Sequence, residues 1–349
     1  MEIITVGKPA IDTYLNLVEY PMEGDVFRIN KKIESVGNTS ATTACLLSKW
    51  GYHVNFCGSI GNDGYAEKIQ NTFKEFKINT KYMETDYEGG TATNTFIVNT
   101  KNKIITKVLY SSDTSALKRF KFDFTPEWAV FDGSDIPATL GVINTNPGLK
   151  SVFYLNTINK EINNIAKKCT WIITNQNYAV NITKAQLDGS AEAYVAMYQQ
   201  LVDTNGQSNY IILLNNHKIL YAEDGKVKML PDLQFNNEDS SSFDSIFTGA
   251  FTFANILGMN LDEAIKFANT ATSIGLGKIG EVDAIPELDA IVTNSGLEAR
   301  FKELREKANI EAGIISKPSS PAQVQAVNAE NIAAATTGAT PQQNSGQNV

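Results

Sequence analysis

The stretch DSSSFDSIFTGAF, residues 239 to 251, has residue types that could bind an anion at the start of a helix. Small hydroxyl residues and Asp244 precede an apolar run, and the first backbone amides and the dipole of a helix attract phosphate. No glycine opens this turn, so side chains would stand where a phosphate group must approach. The alternative is structural: Asp244 or a neighbouring serine caps a helix that runs through Phe247 and Phe251.

Composition argues against several other kinds of site. The 349 residues include 30 Lys and Arg against 38 Asp and Glu, which gives a net charge of -8, and no basic block that would bind nucleic acid. The two histidines are far apart, and the three cysteines are widely spaced in or beside apolar segments (His53 and His217; Cys45, Cys57 and Cys169). We therefore expect neither a metal site nor a disulfide framework, and we expect the cysteines to pack in the core.

Strand-like and helix-like segments alternate along the chain. Short apolar runs that end in Gly or Asn predict core strands, with helical patterns between them, at 2–7, 54–61, 128–133, 141–146, 171–175 and 210–215. This order predicts one α/β domain over residues 1–310, built around a mainly parallel sheet. Two hairpin-like pairs, at about 13–36 and 91–110, predict a small second sheet that serves as a lid.

The two ends of the chain carry separate expectations. MEIITVGKPAID begins a strand at once, and no uninterrupted apolar run of about 18 residues follows, so we expect a cytoplasmic protein without a membrane segment. Residues 317–349 are rich in Ala, Gln, Asn, Thr and Pro and contain no aromatic residue. This composition predicts a disordered low-complexity tail, and the alternative is a segment that folds on a protein partner.

Several ordered motifs resemble those of the ribokinase/PfkB family of carbohydrate kinases, over about residues 1–306. VGKPAID places Asp12 just after the first strand, GNTSATTACLLSKWG is similar to the first family signature, and GSIGNDGYAEKI is similar to its Gly-x-Asp-x-x-Gly element. DSSSFDSIFTGAF aligns without a gap on the second signature. The resemblance implies a three-layer α/β/α sandwich with a mainly parallel central sheet and a small β-sheet lid. It also implies four substrate-binding positions: Asp12, Gly37, Asn38, where the family has a glycine, and Thr42, where the family has a sugar-contacting asparagine.

The second signature departs from the family where the chemistry takes place. In the family it supplies a Gly-Ala-Gly anion hole and then an aspartate that takes the proton of the sugar hydroxyl. The corresponding residues here are Ser242, Phe243, Asp244 and Ser245, so a serine stands at the position of the base. Loss of a positioned base typically costs about 10² to 10⁴ in rate. Asp244 is the candidate substitute, but a shift of one helical position rotates a side chain by about 100 degrees, so we expect it to need a local bulge.

Other family positions have changed as well. The resemblance puts Asn175, Tyr178 and Asn269 on the nucleotide and anion side, and Tyr178 replaces a glutamate that helps organise magnesium there. A phenol cannot replace a carboxylate in the shell of a hard cation. The remaining changes remove a hydroxyl, a glycine or a basic group: Leu213, Asn215 and Lys218 in the nucleotide turn, Ala66 at the last glycine of Gly-x-Asp-x-x-Gly, and Ser111 or Ser112 in the lid.

These changes affect the base, the anion hole, the metal shell and the nucleotide turn together. They predict a pseudokinase that acts as a binding or scaffold protein, with no cofactor and no bound metal. The first alternative is an active, divergent sugar or nucleoside kinase that needs ATP and Mg²⁺ and uses Asp244 as its base. The second is a structural subunit of a larger assembly with the tail as its contact. The expected partners are a small polyol or nucleoside and a second copy of the chain, bound through the lid.

Overall fold

A computed structural model of the chain describes residues 1–29, 31–102, 105–110, 114, 121–206, 209–231 and 240–311. It separates into two units, Met1–Ala299 and Arg300–Val349, and every site discussed below lies in the first. Ser111, Ser112 and residues 317–349 lie outside the described residues, so the expectations for them remain predictions.

Within the described residues, nine strands form the central sheet. They are β1 (Ile3–Val6), β4 (Val54–Ile60), β5 (Asn79–Thr85), β8 (Trp128–Phe131), β9 (Lys150–Leu155), β10 (Trp171–Asn175), β11 (Tyr210–Leu213), β12 (Ile219–Glu223) and β13 (Lys226–Leu230). Their order is β13-β12-β11-β10-β9-β8-β1-β4-β5. All neighbours from β5 to β11 are parallel, and β12 is antiparallel to both of its neighbours. The predicted mainly parallel sheet is thus confirmed.

Four further strands make the small second sheet that the two hairpin-like segments predicted. They are β2 (Ala10–Leu17), β3 (Lys31–Gly37), β6 (Ala92–Asn99) and β7 (Ile105–Tyr110), in the order β3-β2-β6-β7. The register pairs Asp12 with Asn94 across β2 and β6, and Phe96 with Lys107 across β6 and β7. Tyr14 stacks on Phe96 with ring centroids 4.6 Å apart, which gives this sheet a small core of its own.

The helices connect the strands of both sheets. Their bounds are α1 (Thr39–Lys49), α2 (Gly64–Glu75), α3 (Ile136–Thr145), α4 (Lys160–Ala166), α5 (Gln176–Thr183), α6 (Ala191–Asn205), α7 (Phe243–Leu257), α8 (Leu261–Gly275), α9 (Leu288–Ser295) and α10 (Glu298–Glu311). Ile4 and Val6 of β1 share one core with residues of α3, α4, α5 and α6. Helices α1 and α7 pack on each other; α1 also contacts β1, β4 and β8, and α7 contacts β9. Small side chains permit this close packing, since a methyl group added at Gly249 of α7 would lie 3.0 Å from Leu46 of α1.

One predicted strand is wrong. Residues 141–145 belong to α3 and Asn146 is its C-cap, while the strand of this region is β9, which begins at Lys150. Asp135 caps α3 by accepting a hydrogen bond from the Ala138 amide, and a proline stands in its first turn. A short apolar run cannot by itself distinguish a strand from a buried helix, and these two start signals decide for the helix.

None of the helices within the described residues combines the length and the apolar composition needed to cross a membrane.

Candidate active site

A cavity of about 290 Å³ lies where the carboxyl ends of β1, β8 and β9 meet the small sheet. In parallel α/β sheets this edge is where ligands commonly bind. Most of the lining side chains are polar, and two are lysines. The lining residues are Lys8, Asn38, Thr39, Ala92, Asn94, Lys107, Leu109, Tyr110, Asp132, Gly133, Ser134, Tyr154, Asn156 and Thr157.

Three of the four predicted substrate-binding residues meet at one wall of this cavity. Asn94 donates from its Nδ2 atom to Asp12 Oδ1 at 2.6 Å and to Asn38 Oδ1 at 3.3 Å. Asn38 has a φ of 71°, and its Nδ2 atom donates to the Lys8 carbonyl at 2.8 Å, which holds this left-handed conformation. Gly37 lies so close to Asp12 that an added methyl group would overlap the carboxylate. The wall therefore presents Asn38 and Asn94 to a ligand, with the fully buried Asp12 fixing their orientation.

The fourth predicted residue, Thr42, points elsewhere. Its hydroxyl donates to Glu281 Oε2 at 2.9 Å, and Thr42 is fully buried within α1. Asn94, which lines the cavity beside Asn38, was not expected from the sequence. Asn94 is placed opposite Asp12 by the register between β2 and β6. The sequence alone does not specify this register, so it could not identify Asn94 as a site residue.

The first turn of α7 does not use Asp244 as a cap. Ser242 occupies the N-cap position without a side-chain capping bond, and its Oγ atom has no partner among the described residues. The first backbone bond within the helix runs from the Ile246 amide to the Ser242 carbonyl at 3.0 Å. The Asp244 carboxylate instead accepts a hydrogen bond from the Tyr154 hydroxyl, and Tyr154 lines the cavity. Asp244 lies in the first turn of α7, which is regular from Phe243 onwards and shows no bulge, and the N-cap position belongs to the neighbouring Ser242 instead.

The surroundings of Asp244 suit a general base. Burial raises the pKa of the Asp244 carboxyl above its ordinary value, while the Tyr154 hydrogen bond and the charge of Lys107 act in the opposite direction. Burial and the nearby carboxylate raise the pKa of Tyr154 well above that of a free tyrosine, so this hydroxyl stays protonated as a donor. Asn175 Nδ2 also donates to the Tyr154 hydroxyl, at 3.3 Å. Asp244 is half-buried as a whole residue, and its carboxylate is connected to the cavity through the Tyr154 hydroxyl.

Ser245, at the position of the family base, faces a second carboxylate. Its hydroxyl donates to Glu281 Oε2 at 2.9 Å and lies 3.3 Å from the Thr39 hydroxyl. Glu281 is 2% exposed and was not singled out in the sequence. It follows a glycine in a loop with no motif of its own, so only the folded chain places it beside α1 and α7.

On the predicted nucleotide side, Tyr178 is a core residue. It is 2% exposed, and its hydroxyl donates to Asn163 at 3.0 Å, so it does not fit a metal shell. Asn175 caps α5 by accepting from the Tyr178 amide at 2.9 Å. The Phe243 ring packs on the His217 ring, with centroids 5.0 Å apart. Asn269 donates to the Pro231 carbonyl at 3.4 Å, and its buried Oδ1 atom has no partner among the described residues, so it could accept a bond from a nucleotide.

Two lysines of the cavity were not expected from the sequence. Lys8 donates to the Thr114 carbonyl at 3.0 Å, and the Lys107 ammonium lies 4.8 Å from the centre of the Phe96 ring. Within the described residues neither lysine forms an ion pair with a carboxylate. The resemblance puts the basic lid position at Ser111 or Ser112, which lie outside the described residues, and β7 brings Lys107 to the cavity.

Comparison with solved structures identifies the architecture. The crystal structure of ribokinase from Cryptococcus neoformans var. grubii serotype A in complex with ADP matches with a TM-score of 0.69 at 19% identity, over 84% of this chain and 99% of that one. The fold is ribokinase-like. The predicted fold class, with its central sheet and additional small sheet, is thereby confirmed.

Sequence comparison agrees with the ribokinase-like fold. Residues 5–134 match the sequence model described as pfkB family carbohydrate kinase. Ribokinase of Bacillus subtilis (strain 168) is 22% identical over 303 residues, which cover 81% of this chain and 96% of the relative. The 5-dehydro-2-deoxygluconokinase of Listeria innocua is 24% identical over 332 residues, which cover 84% of this chain and 96% of the relative. The chain is thus similar to these two kinases along nearly their full length.

Proposed function

We propose that this protein is a divergent ATP-dependent carbohydrate kinase of the PfkB family in which Asp244 is the general base. The observation that carries the proposal is the hydrogen bond between Asp244 and Tyr154, because it joins the Asp244 carboxylate to a side chain that lines the polar cavity. The similarity to a ribokinase and a 5-dehydro-2-deoxygluconokinase supports phosphoryl transfer over the pseudokinase hypothesis.

The residues at and beside the cavity have separate roles in such a reaction. Asn38 and Asn94 orient the substrate through hydrogen bonds. Asp244 accepts the proton of the attacking hydroxyl as its oxygen bonds to the γ-phosphorus of ATP and the bond between that phosphorus and the departing ADP breaks. A raised pKa makes the Asp244 carboxylate a stronger base than an exposed aspartate, and the charge of Lys107 limits this rise in pKa. The backbone amides at the start of α7 lack intrahelical acceptors and favour the negative charge of the transferring group.

Magnesium would enter this site with the phosphates of ATP. The described residues contain no group of three or more His, Cys, Asp or Glu that could hold a metal ion, and Tyr178 does not supply a ligand. Magnesium commonly binds through substrate phosphates and retained waters with few protein ligands, and it would neutralise phosphate charge there. Asn269 and the turn that contains Asn215 and Lys218 are the proposed contacts of the nucleotide.

The substrate that we propose is a sugar acid. Lys8 and Lys107 line the cavity without a carboxylate partner among the described residues, so they can pair with an anionic group of the substrate. Hydrogen bonds between charged groups contribute about 1.5 to 3 kcal/mol, which corresponds to roughly tenfold to a hundredfold in affinity. The Listeria relative is named for a sugar acid, which agrees with this assignment.

Steady-state ADP release with 5-dehydro-2-deoxygluconate and with D-ribose tests the substrate. Lys107→Met should raise KM for the acid by about tenfold or more, because it removes a charge-assisted bond, and should change KM for ribose by less than about twofold. Lys101→Met, in the same hairpin but paired at the surface with Glu19, is the matched control and should change neither constant. Equal losses on both substrates in Lys107→Met would contradict the sugar-acid assignment.

The second candidate is the pseudokinase, a protein that binds a small ligand without phosphoryl transfer. The burial of Tyr178 and the engagement of Ser245 by Glu281 favour it. Calorimetric titration with Mg-ATP separates the two candidates, because a kinase must bind the nucleotide and a ligand-binding scaffold need not. A cytoplasmic location and a protein partner for residues 317–349 remain predictions.

A further inference from the structure

Two of the altered family positions are joined by one buried carboxylate. Ser245 and Thr42, where the resemblance leads one to expect an aspartate and an asparagine, both donate their hydroxyl hydrogens to Glu281 Oε2 at 2.9 Å. Glu281 is 2% exposed and Ser245 is 3% exposed, so water has little access to either. The three residues therefore form one hydrogen-bonded unit between α1, α7 and the loop before α9.

This unit fixes the direction of a hydrogen-bond chain that reaches the cavity. A hydroxyl group has one hydrogen to donate, and Ser245 gives its hydrogen to Glu281. In the 3.3 Å contact between the hydroxyls of Ser245 and Thr39, Thr39 must then be the donor. Because the Thr39 hydrogen is used in this way, Thr39 can offer only acceptor lone pairs to the cavity that it lines.

We infer that Thr39 is a specificity-determining residue that accepts a hydrogen bond from a substrate hydroxyl, and that Glu281 sets this polarity through Ser245. The inference rests on the proposed function in taking the cavity as the substrate site, and it adds the group recognised there. A polyhydroxylated substrate with a hydroxyl at this position is selected. An analogue with hydrogen there leaves a buried acceptor unsatisfied, and one with a carbonyl oxygen there brings two acceptors together.

The test uses two probe series, D-gluconate and D-ribose, each with its single-deoxy analogues. Calorimetry gives their affinities without nucleotide, and ADP release gives kcat/KM. In the wild-type protein, one deoxy analogue of at least one series should bind about 10- to 100-fold more weakly than its parent. Thr39→Val, which keeps the side-chain volume and removes the acceptor, should reduce this difference to less than about twofold.

The matched control is Thr43→Val in the same helix. Thr43 is fully buried, does not line the cavity, and has an Oγ1 atom without a partner among the described residues. The same substitution there should leave the discrimination at its wild-type value. Ser245→Ala should weaken the discrimination without removing the Thr39 hydroxyl, since Thr39 can then rotate and donate into the cavity. Glu281→Gln should also weaken it, because an amide can donate to Ser245 and reverse the chain.

The outcomes separate this inference from the proposed function. Predicted discrimination in binding without any ADP release would leave the inference standing and overturn the kinase proposal. ADP release with unchanged discrimination in Thr39→Val would support the kinase and overturn the role of Thr39. Unchanged discrimination in Ser245→Ala and Glu281→Gln, or the absence of binding to both series, would likewise overturn the inference.

Discussion

At the scale of single residues, Asp244 can replace the missing family base at Ser245 because its carboxylate contacts Tyr154. Its position is one residue earlier than that of the family base, yet its carboxylate is connected to the cavity because Tyr154 of β9, which lines the cavity, donates to it. The serine that follows has a different contact, the buried carboxylate of Glu281. The position of a residue in the alignment therefore does not determine which side chains it contacts.

The pH dependence of the reaction depends on this pair. Burial holds the pKa of Asp244 above its ordinary value, so the acid limb of the kcat profile should lie above the range of an exposed aspartate. Tyr154→Phe removes a hydrogen bond that lowers this pKa, so the limb should move to higher pH. Steady-state kinetics across pH measure the shift.

The control for this profile is Tyr198→Phe. Tyr198 is also buried, but its hydroxyl donates to the Tyr210 carbonyl at 3.0 Å, and it does not line the cavity. Its loss should leave the acid limb in place. An acid limb that does not move in Tyr154→Phe would show that Asp244 does not titrate in the reaction.

The sequence predicted part of the site at this scale. Asp12, Gly37 and Asn38 stand in recognisable motifs, and the structure brings them together. Asn94, Lys107, Tyr154 and Glu281 could not be predicted, because each reaches the cavity or α7 through strand register or a loop path that local patterns do not encode.

At the scale of elements, the junction of β3 and α1 sets the shape of the cavity wall that Asn38 and Asn94 form. Gly37 ends β3 against the Asp12 carboxylate, and an added methyl group would overlap it. Gly37→Ala should lower the free energy of unfolding by about 1 to 3 kcal/mol, because the buried pair of Asp12 and Asn94 must shift. Denaturant unfolding measures this change.

Gly64→Ala is the matched control for that junction. Gly64 is exposed in the first turn of α2, and no atom lies within 4 Å of an added methyl group. Alanine should there be neutral or slightly stabilising, since it has the higher helix propensity. A Gly37→Ala protein as stable as Gly64→Ala would contradict the close approach to Asp12.

Element types were predictable where several signals agreed. α1, α7 and α8 follow helical patterns, and five of the six predicted strands were found in the sheet. Residues 141–146 were misassigned because a short apolar run fits both element types, and Asp135 and the following proline were not weighed. The β12 and β13 hairpin was not among the predicted strands, although it carries a sequence signal: Asp224 and Gly225 form the two-residue turn between its strands, with φ values of 49° and 74°.

At the scale of the whole molecule, the small sheet has an exposed apolar edge. β7 ends the order of this sheet, and Val108, Leu109 and Tyr110 are 55%, 61% and 53% exposed. An exposed apolar edge strand can pair with a second chain. The predicted homodimer through the lid would cover this edge.

Light scattering coupled to size exclusion tests this dimer. The wild-type protein should elute as a dimer, and Val108→Lys should convert it to a monomer by placing a charge in the contact. Val195→Lys, on the exposed face of α6 and 40% exposed, should leave the dimer intact. A monomeric wild-type protein, or a dimer that survives Val108→Lys, would contradict the prediction.

The measurement that tests the central claim most directly is phosphoryl transfer from ATP, followed by ³¹P NMR. Sugar acids, sugars and nucleosides are the acceptors, and the wild-type protein is compared with Asp244→Asn. We predict a new sugar phosphate signal with the wild type and a rate lower by about 10² to 10⁴ in Asp244→Asn, with KM changed little. A wild-type protein that binds an acceptor but forms no phosphorylated product would contradict the kinase assignment and support the pseudokinase.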